Sequence, residues 1–243
     1  MNRISSEKIS IRLALFAGLL AVSAVVAYRL EWVGFQIAVP GLAIAALCGL
    51  LAALSGVLAL FGAIRRRKSA MPALIGMLLG LVVAMPVLFS VLAGSGVPRI
   101  HDISTDLDHP PDFNVIKSLR AATDNPLDRK SPDNLDQLQR EGYPDLKPLI
   151  LNRSPEVVFE QALKLVKSRE WHIAEASAAS GTIEATAITP IMAFKDDVII
   201  RIQNTGQTTR VDMRSVSRVG ISDLGVNAKR IRHFLAELEQ AVR

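Results

Sequence analysis

The sequence predicts an α+β protein: a three-helix membrane anchor followed by a two-layer, antiparallel-sheet domain of order β-α-β-β-β-β-α with both helices on one face. Three observations predict it. Long charge-free apolar runs fill residues 32–64 and 69–98. The four cations Arg65-Arg66-Arg67-Lys68 separate those runs. Short strand-like stretches joined by turn signals fill the last third of the chain, between two amphipathic helical stretches.

Charge divides with hydropathy. The chain has 243 residues and a formal net charge of +5. Residues 1–98 carry 8 Lys+Arg against 2 Glu, which is +6, and residues 99–243 carry 20 against 21, which is −1. The basic balance is therefore a membrane-topology signal, and no nucleic-acid partner is expected. The one cysteine, Cys48, lies in an apolar run. That excludes an intramolecular disulfide and a multi-cysteine metal site.

The first span is expected at about 13–30. Arg3, Lys8 and Arg12 precede the run Leu13–Tyr28, and Tyr28 and Trp32 are placed for the far interface. No small-x-small cleavage site follows, so the run is read as a retained helix. The second span is expected at 38–64, its helix proper beginning at Pro40-Gly41. The third is expected at 72–92, with Gly76 and Gly80 as a small-xxx-small pair facing the second helix. Each exceeds or approaches the roughly 20 residues that cross a bilayer. No span holds an internal charge, which argues for an anchor over a self-sufficient transporter. The cationic loop is expected inside. The N-terminus is then cytoplasmic and the C-terminal domain lies outside, in the periplasm of a bacterial inner membrane.

Residues 95–146 read as an extended acidic tether with a short helix from Ser131 to about Arg140. From Arg99 onward they carry 6 cations and 10 anions. Ile100, Ile103 and Phe113 are expected to anchor this strap onto the domain. His101, Asp102, Asp106 and His109 are a weak metal candidate, because their spacing fits neither a zinc nor a calcium-loop pattern.

The domain proper is expected at 147–243. Pro148–Leu151 is a first strand, and Ser154-Pro155-Glu156 opens a helix to about Arg169. Strands follow at 171–176, 182–189, 197–203 and 208–216, and Ser222 is expected to cap a last helix with the stripe Ile231, Phe234, Leu235, Leu238 and Val242. Alternation turns Trp171, Ile173, Ile183, Ala185, Ala187, Val198, Ile200, Ile202, Val211 and Met213 toward the helices. It leaves Glu184, Ile199, Arg201, Arg214 and their neighbours on an open, solvated face. With the simplest hairpin register, Asp197 lies opposite Arg214. Arg201, Arg214, Ser215, Arg218 and Asp197 are the candidate site for an anionic ligand or partner.

The stretches Ile100–Asp106, Tyr143-Pro144-Asp145, Phe194–Arg201 and Arg214–Ile231 resemble the DUF1499 family (domain of unknown function 1499), over most of residues 99–243. Ile221 departs from it, standing where a basic residue is expected. The resemblance implies a bacterial envelope or membrane-linked domain and carries over no catalytic residue and no cofactor. The function expected is a non-catalytic binding or assembly module whose partner is an envelope protein, lipid or glycan. The alternatives are an accessory subunit of a transport or envelope complex, and a metal-assisted hydrolase.

Overall fold

The computed structural model describes residues 6–243; the expected cytoplasmic cation Arg3 lies outside them. The chain forms two compact units, one ending at Ser95 and one spanning Gly96–Arg243.

The first unit is three helices: α1 (Ser6–Arg29), α2 (Phe35–Arg65) and α3 (Met71–Gly94). All three are long and apolar enough to cross a membrane. Pro40 sits inside α2 rather than opening it, because Gly34 takes the extended N-cap conformation and the helix starts there. The packing is inverted relative to a water-soluble bundle. Ser10, Ala14 and Ala17 of α1, Ala45, Gly49 and Ala52 of α2, and Ala73, Gly76 and Gly80 of α3 are buried. Leu47, Leu54 and Phe61 point outward, with Phe61 69% exposed. Small residues let backbones approach closely, and large apolar residues point outward, the arrangement typical of helices that pack within a bilayer. A side chain at Gly49 would meet the Gly80 carbonyl at 2.6 Å. Gly76, by contrast, accommodates Ser10 of α1. The Ser10 hydroxyl donates to the Ala52 carbonyl at 2.8 Å, a polar link inside an apolar seam.

The second unit is a six-stranded antiparallel sheet of order β1-β6-β5-β4-β3, with β2 also paired to β6. Its strands are β1 (Asp102–Ser104), β2 (Leu149–Leu151), β3 (His172–Ser177), β4 (Thr182–Ile188), β5 (Lys195–Asn204) and β6 (Thr209–Ser217). The helices α6 (Pro155–Ser168) and α7 (Val226–Ala241) contribute Val158, Ala162, Val166, Ile231, Phe234 and Leu238 to one core with Ile183, Val198, Ile200, Val211 and Met213. The period-two reading of that face holds, except at Ile173. A bulge between Ile173 and Glu175 shifts the edge strand and leaves Ile173 exposed. Trp171 is half-buried and stacks on Phe234 at 5.7 Å.

The other face is not open, which corrects the expected solvated surface. Ile199 and Val216 are apolar on that side and need cover. Residues 105–130 supply it, with Phe113 and Ile116 forming a second small core against them. The expected anchors Ile100, Ile103 and Phe113 are all buried. Glu184, expected in solvent, is buried, and its carboxylate accepts the backbone N–H groups of Asn114 (2.6 Å) and Ile116 (2.8 Å). It thereby satisfies orphan donors at the start of the short helix α4 (Val115–Leu119). The second strap helix, α5 (Leu135–Gly142), begins later than the expected Ser131 cap.

Two further corrections concern register and capping. The β5–β6 hairpin places Asp197 opposite Val216 and Ile199 opposite Arg214. Four residues, Thr205–Thr208, form the loop, closed by Thr205 N–H donating to the Thr208 carbonyl at 2.9 Å. The two-residue shift keeps every side chain on its face but changes its partner. Ser222 does not cap α7: Gly225, with φ +83°, is the residue before the helix. The Asp223 carboxylate takes the N–H groups of Gly225 and Asn227, each at 2.8 Å.

Candidate functional site

The candidate charged residues fall on β1, β5, β6 and the strap. Side chains alternate along β6 and into the residue after it: Arg214 and Arg218 face the strap, while Ser215 faces α7. The five candidates are therefore split between the two faces, and three carboxylate-centred clusters organise the strap side.

In the first cluster, Arg214 donates to both oxygens of Asp102, through Nε at 3.0 Å and Nη2 at 2.7 Å. Arg129 of the strap adds a third donor to Asp102 at 2.6 Å. Arg214 is 2% exposed and also donates to the carbonyls of Pro111 (3.1 Å) and Leu127 (2.6 Å). Its guanidinium lies 5.4 Å from the Phe113 ring centroid. Planar, bidentate pairing of this kind uses the fixed donor fork of arginine.

In the second, Arg201 bridges Asp212 (2.9 Å) and Asp106 (3.1 Å), and Arg210 meets the same two carboxylates at 2.9 Å each. In the third, Arg218 pairs with both oxygens of Asp197, at 3.0 and 2.9 Å. Arg120 of the strap pairs with Asp197 as well, and the Thr186 hydroxyl donates to it at 2.7 Å. Asp197 thus holds Arg218 and Arg120, where Arg214 was the expected partner.

On the α7 side the Ser215 hydroxyl donates to Asn227 Oδ1 at 2.8 Å, and Asn227 Nδ2 donates to the His101 carbonyl at 3.1 Å. Arg230 pairs with Asp196 at 2.6 Å. With Asp223 occupying the first N–H groups of α7, that helix terminus is already satisfied from within the chain.

The four metal candidates are not brought together. Asp102 and Asp106 serve two separate arginine clusters, His101 is buried beside α7, and His109 is exposed. Among the described residues no group of three His, Cys, Asp or Glu is placed to hold a metal ion.

More than one opening lies beside this network, and one of about 330 Å³ is bounded by Asp112, Leu127, Arg129, Asp136 and Arg214. A cleft of about 380 Å³ is bounded by Asp106, Gln139, Arg140, Tyr143, Lys147 and Arg210. Arg140 and Lys147 are exposed at its rim. Burial, together with the nearby Asp223 carboxylate, pushes the Tyr143 hydroxyl up to about 12, so it stays protonated.

Comparison with known protein families matches residues 102–238 to the family described as "Protein of unknown function (DUF1499)", more than half of the chain. This chain belongs to the DUF1499 family. Comparison with curated proteins finds no match. The DUF1499 match starts at Asp102 of the first arginine cluster and runs into α7, so it takes in the strap as well as the sheet.

Arg120, Arg129 and Asp212 are DUF1499 residues that sequence reasoning leaves outside the candidate set. Their signal is indirect. A strand face carrying both Ile199 and Val216 calls for a cover, and a cover rich in Asp and Arg pairs with the charges beneath it.

His101 gives a pH prediction for the DUF1499 unit. Burial lowers its pKa below the ordinary 6.5, and the Arg120 and Arg129 charges add to that against the opposing pull of Asp102. The neutral ring is favoured in the fold and the unfolded chain binds the proton more readily. Its stabilising contribution is present above about pH 6.5 and is lost as pH falls from there through the depressed folded value. Urea midpoints measured from pH 8 to pH 5 are expected to fall, and the His101→Gln variant to show a shallower fall. Equal slopes for the two proteins would refute the assignment to His101.

Proposed function

We propose that this DUF1499 chain is a non-catalytic binding or assembly module, carried by three membrane spans with its C-terminal unit at the outer, periplasmic face of a bacterial inner membrane. The observation that supports the module reading is the commitment of the strap-face charges. Arg120, Arg129, Arg201, Arg210, Arg214 and Arg218 each meet a carboxylate of the same unit. Groups matched to one another in this way hold a fold together; they are not poised as an acid and a base. The orientation is supported by loop charge. The segment after α2 carries Arg66, Arg67 and Lys68, whereas Leu30–Gly34 carries only Glu31.

Recognition is assigned to the rim of the 380 Å³ cleft rather than to Arg214 or Arg218, which lie under the strap. Arg140 and Lys147 supply positive charge there, and Arg210 lies at the base with its two aspartates. A photo-crosslinking residue at Lys147 in living cells tests this. The expected result is a discrete covalent adduct with an envelope protein, lipid or glycan, absent when the same group replaces Thr205. An adduct with a polytopic membrane protein would assign the chain as an accessory subunit of that complex. No adduct at Lys147 beyond that at Thr205, in a chain of normal abundance, would contradict the binding role of the cleft.

A further inference from the structure

The two ends of the antiparallel sheet differ in chemistry. One end gathers the start of β1 (Asp102 opposite Val216), the end of β4 at Ile188, the start of β5 at Lys195 and the end of β6 at Ser217. The chain enters there through residues 97–101, and loops 189–194 and 218–225 cross there. This end exposes Ile188, Ile191, Ile221, Leu224 and Val226, with Ile221 at 67%. The opposite end is closed by Ala178-Ala179-Ser180-Gly181 and Thr205-Gly206-Gln207-Thr208, which carry no large apolar side chain, and by residues 152–154, flanked by the exposed Ile150 and Val157.

Charge is segregated in the same way. Arg99, Lys195 and Lys229 are exposed at the apolar end, and the exposed Glu141 stands next to Gly142, which lies against Pro98. The carboxylates within the strand ends and the 218–225 loop are withdrawn: Asp196 is buried against Arg230, and Asp223 is buried on the backbone of α7. Grouped exposed hydrophobics mark a contact surface. Hydrophobics flanked by cations, with no exposed carboxylate among them, fit the interface of an anionic bilayer.

Chain length selects the bilayer as the occupant. Val97 lies beside Gly225, 3.4 Å from where a side chain on that glycine would begin. Only Ser95 and Gly96 separate Val97 from Gly94, the last residue of α3. Three residue steps reach at most about 11 Å. The loop bearing Ile221 and Leu224 therefore packs against chain that begins three residues after the end of α3.

The geometry points to a lipid-contacting rim: residues 188–191 and 221–226 seat the DUF1499 unit in the headgroup region of an anionic membrane. This rests on the spans and not on the cleft. The test uses the full chain with Cys48→Ser, reconstituted in vesicles of phosphatidylcholine and phosphatidylglycerol. Single cysteines at Ile221, Ile188, Thr205 and the span residue Leu78 carry an environment-sensitive fluorophore. Labels at positions 221 and 188 are expected to lose most of their fluorescence to spin-labelled phosphatidylcholine and to be shielded from iodide. The label at 205 is expected to do the reverse. Iodide access at 221 and 188 equal to that at 205, with position 78 still quenched by lipid, would overturn the rim while leaving the spans intact. Shielding at 221 and 188 from both quenchers would also overturn it, since a protein partner or a second copy would then cover the surface.

Discussion

Asp102→Ala is expected to destabilise the C-terminal unit by about 3–5 kcal/mol, the range for removing one partner of a buried ion pair. The size follows from what is left behind. Arg214 would keep two carbonyl acceptors, from Pro111 and Leu127, but would lose both charge-assisted bonds while 2% exposed. Arg129 would lose its buried partner and retain Asp136 at the surface, at 2.6 Å. Asp102 also joins the strap to β6, so the loss is expected to loosen residues 105–130 over the sheet. Urea unfolding of the full chain, followed by Trp171 fluorescence in a Trp32→Phe background, measures it. A change below about 1 kcal/mol, the scale of a surface pair, would mean that the cluster is effectively solvated.

Gly80→Leu is expected to have the largest effect on the three-helix unit. The new Cβ would fall on the Gly49 carbonyl and within 2.9 Å of the Ala53 nitrogen. Both neighbours are backbone, so neither can move aside by changing a rotamer. Overpacking costs about 1–3 kcal/mol, and the upper end applies where whole helices must separate. Gly62, which lies on α2 with nothing within 4 Å of where its Cβ would stand, is the control. Unfolding in mixed micelles should show Gly80→Leu destabilised by about 3 kcal/mol and Gly62→Leu within about 0.5 kcal/mol of wild type. Equal behaviour of the two variants would contradict the α2–α3 crossing at Gly49 and Gly80.

Much of the architecture is legible in the sequence because it follows local periodicity. The three N-terminal helices show as long apolar runs, and the inner face of β5 shows as Val198, Ile200 and Ile202 at every second residue. What escapes depends on non-local facts. The partner of Asp197 hinges on whether the hairpin turns in Thr205–Thr208 or one residue earlier, and Asn204-Thr205-Gly206-Gln207 suits either. Arg214 reads as a surface charge until the strap is known to cross it, since only distant Asp102, Arg129 and Phe113 compensate its burial. The start of α7 is misread because Ser222 looks like a cap. Gly225 and Asp223 provide the capping geometry instead, with the helix starting at Val226. The candidate site is legible as a set of residue types. Its role is not, because the same arginines serve equally as ligand anchors on an open face or as latches under a cover.

The claim on which the functional account depends is the placement of the DUF1499 unit outside the membrane. Reporters fused after Arg243 and within the Arg65–Lys68 loop, one active only in the periplasm and one only in the cytoplasm, test it directly. The account predicts periplasmic activity after Arg243 and cytoplasmic activity in the loop. Cytoplasmic activity after Arg243 would contradict it, and would turn the search from envelope ligands to nucleotides, metabolites and cytosolic proteins.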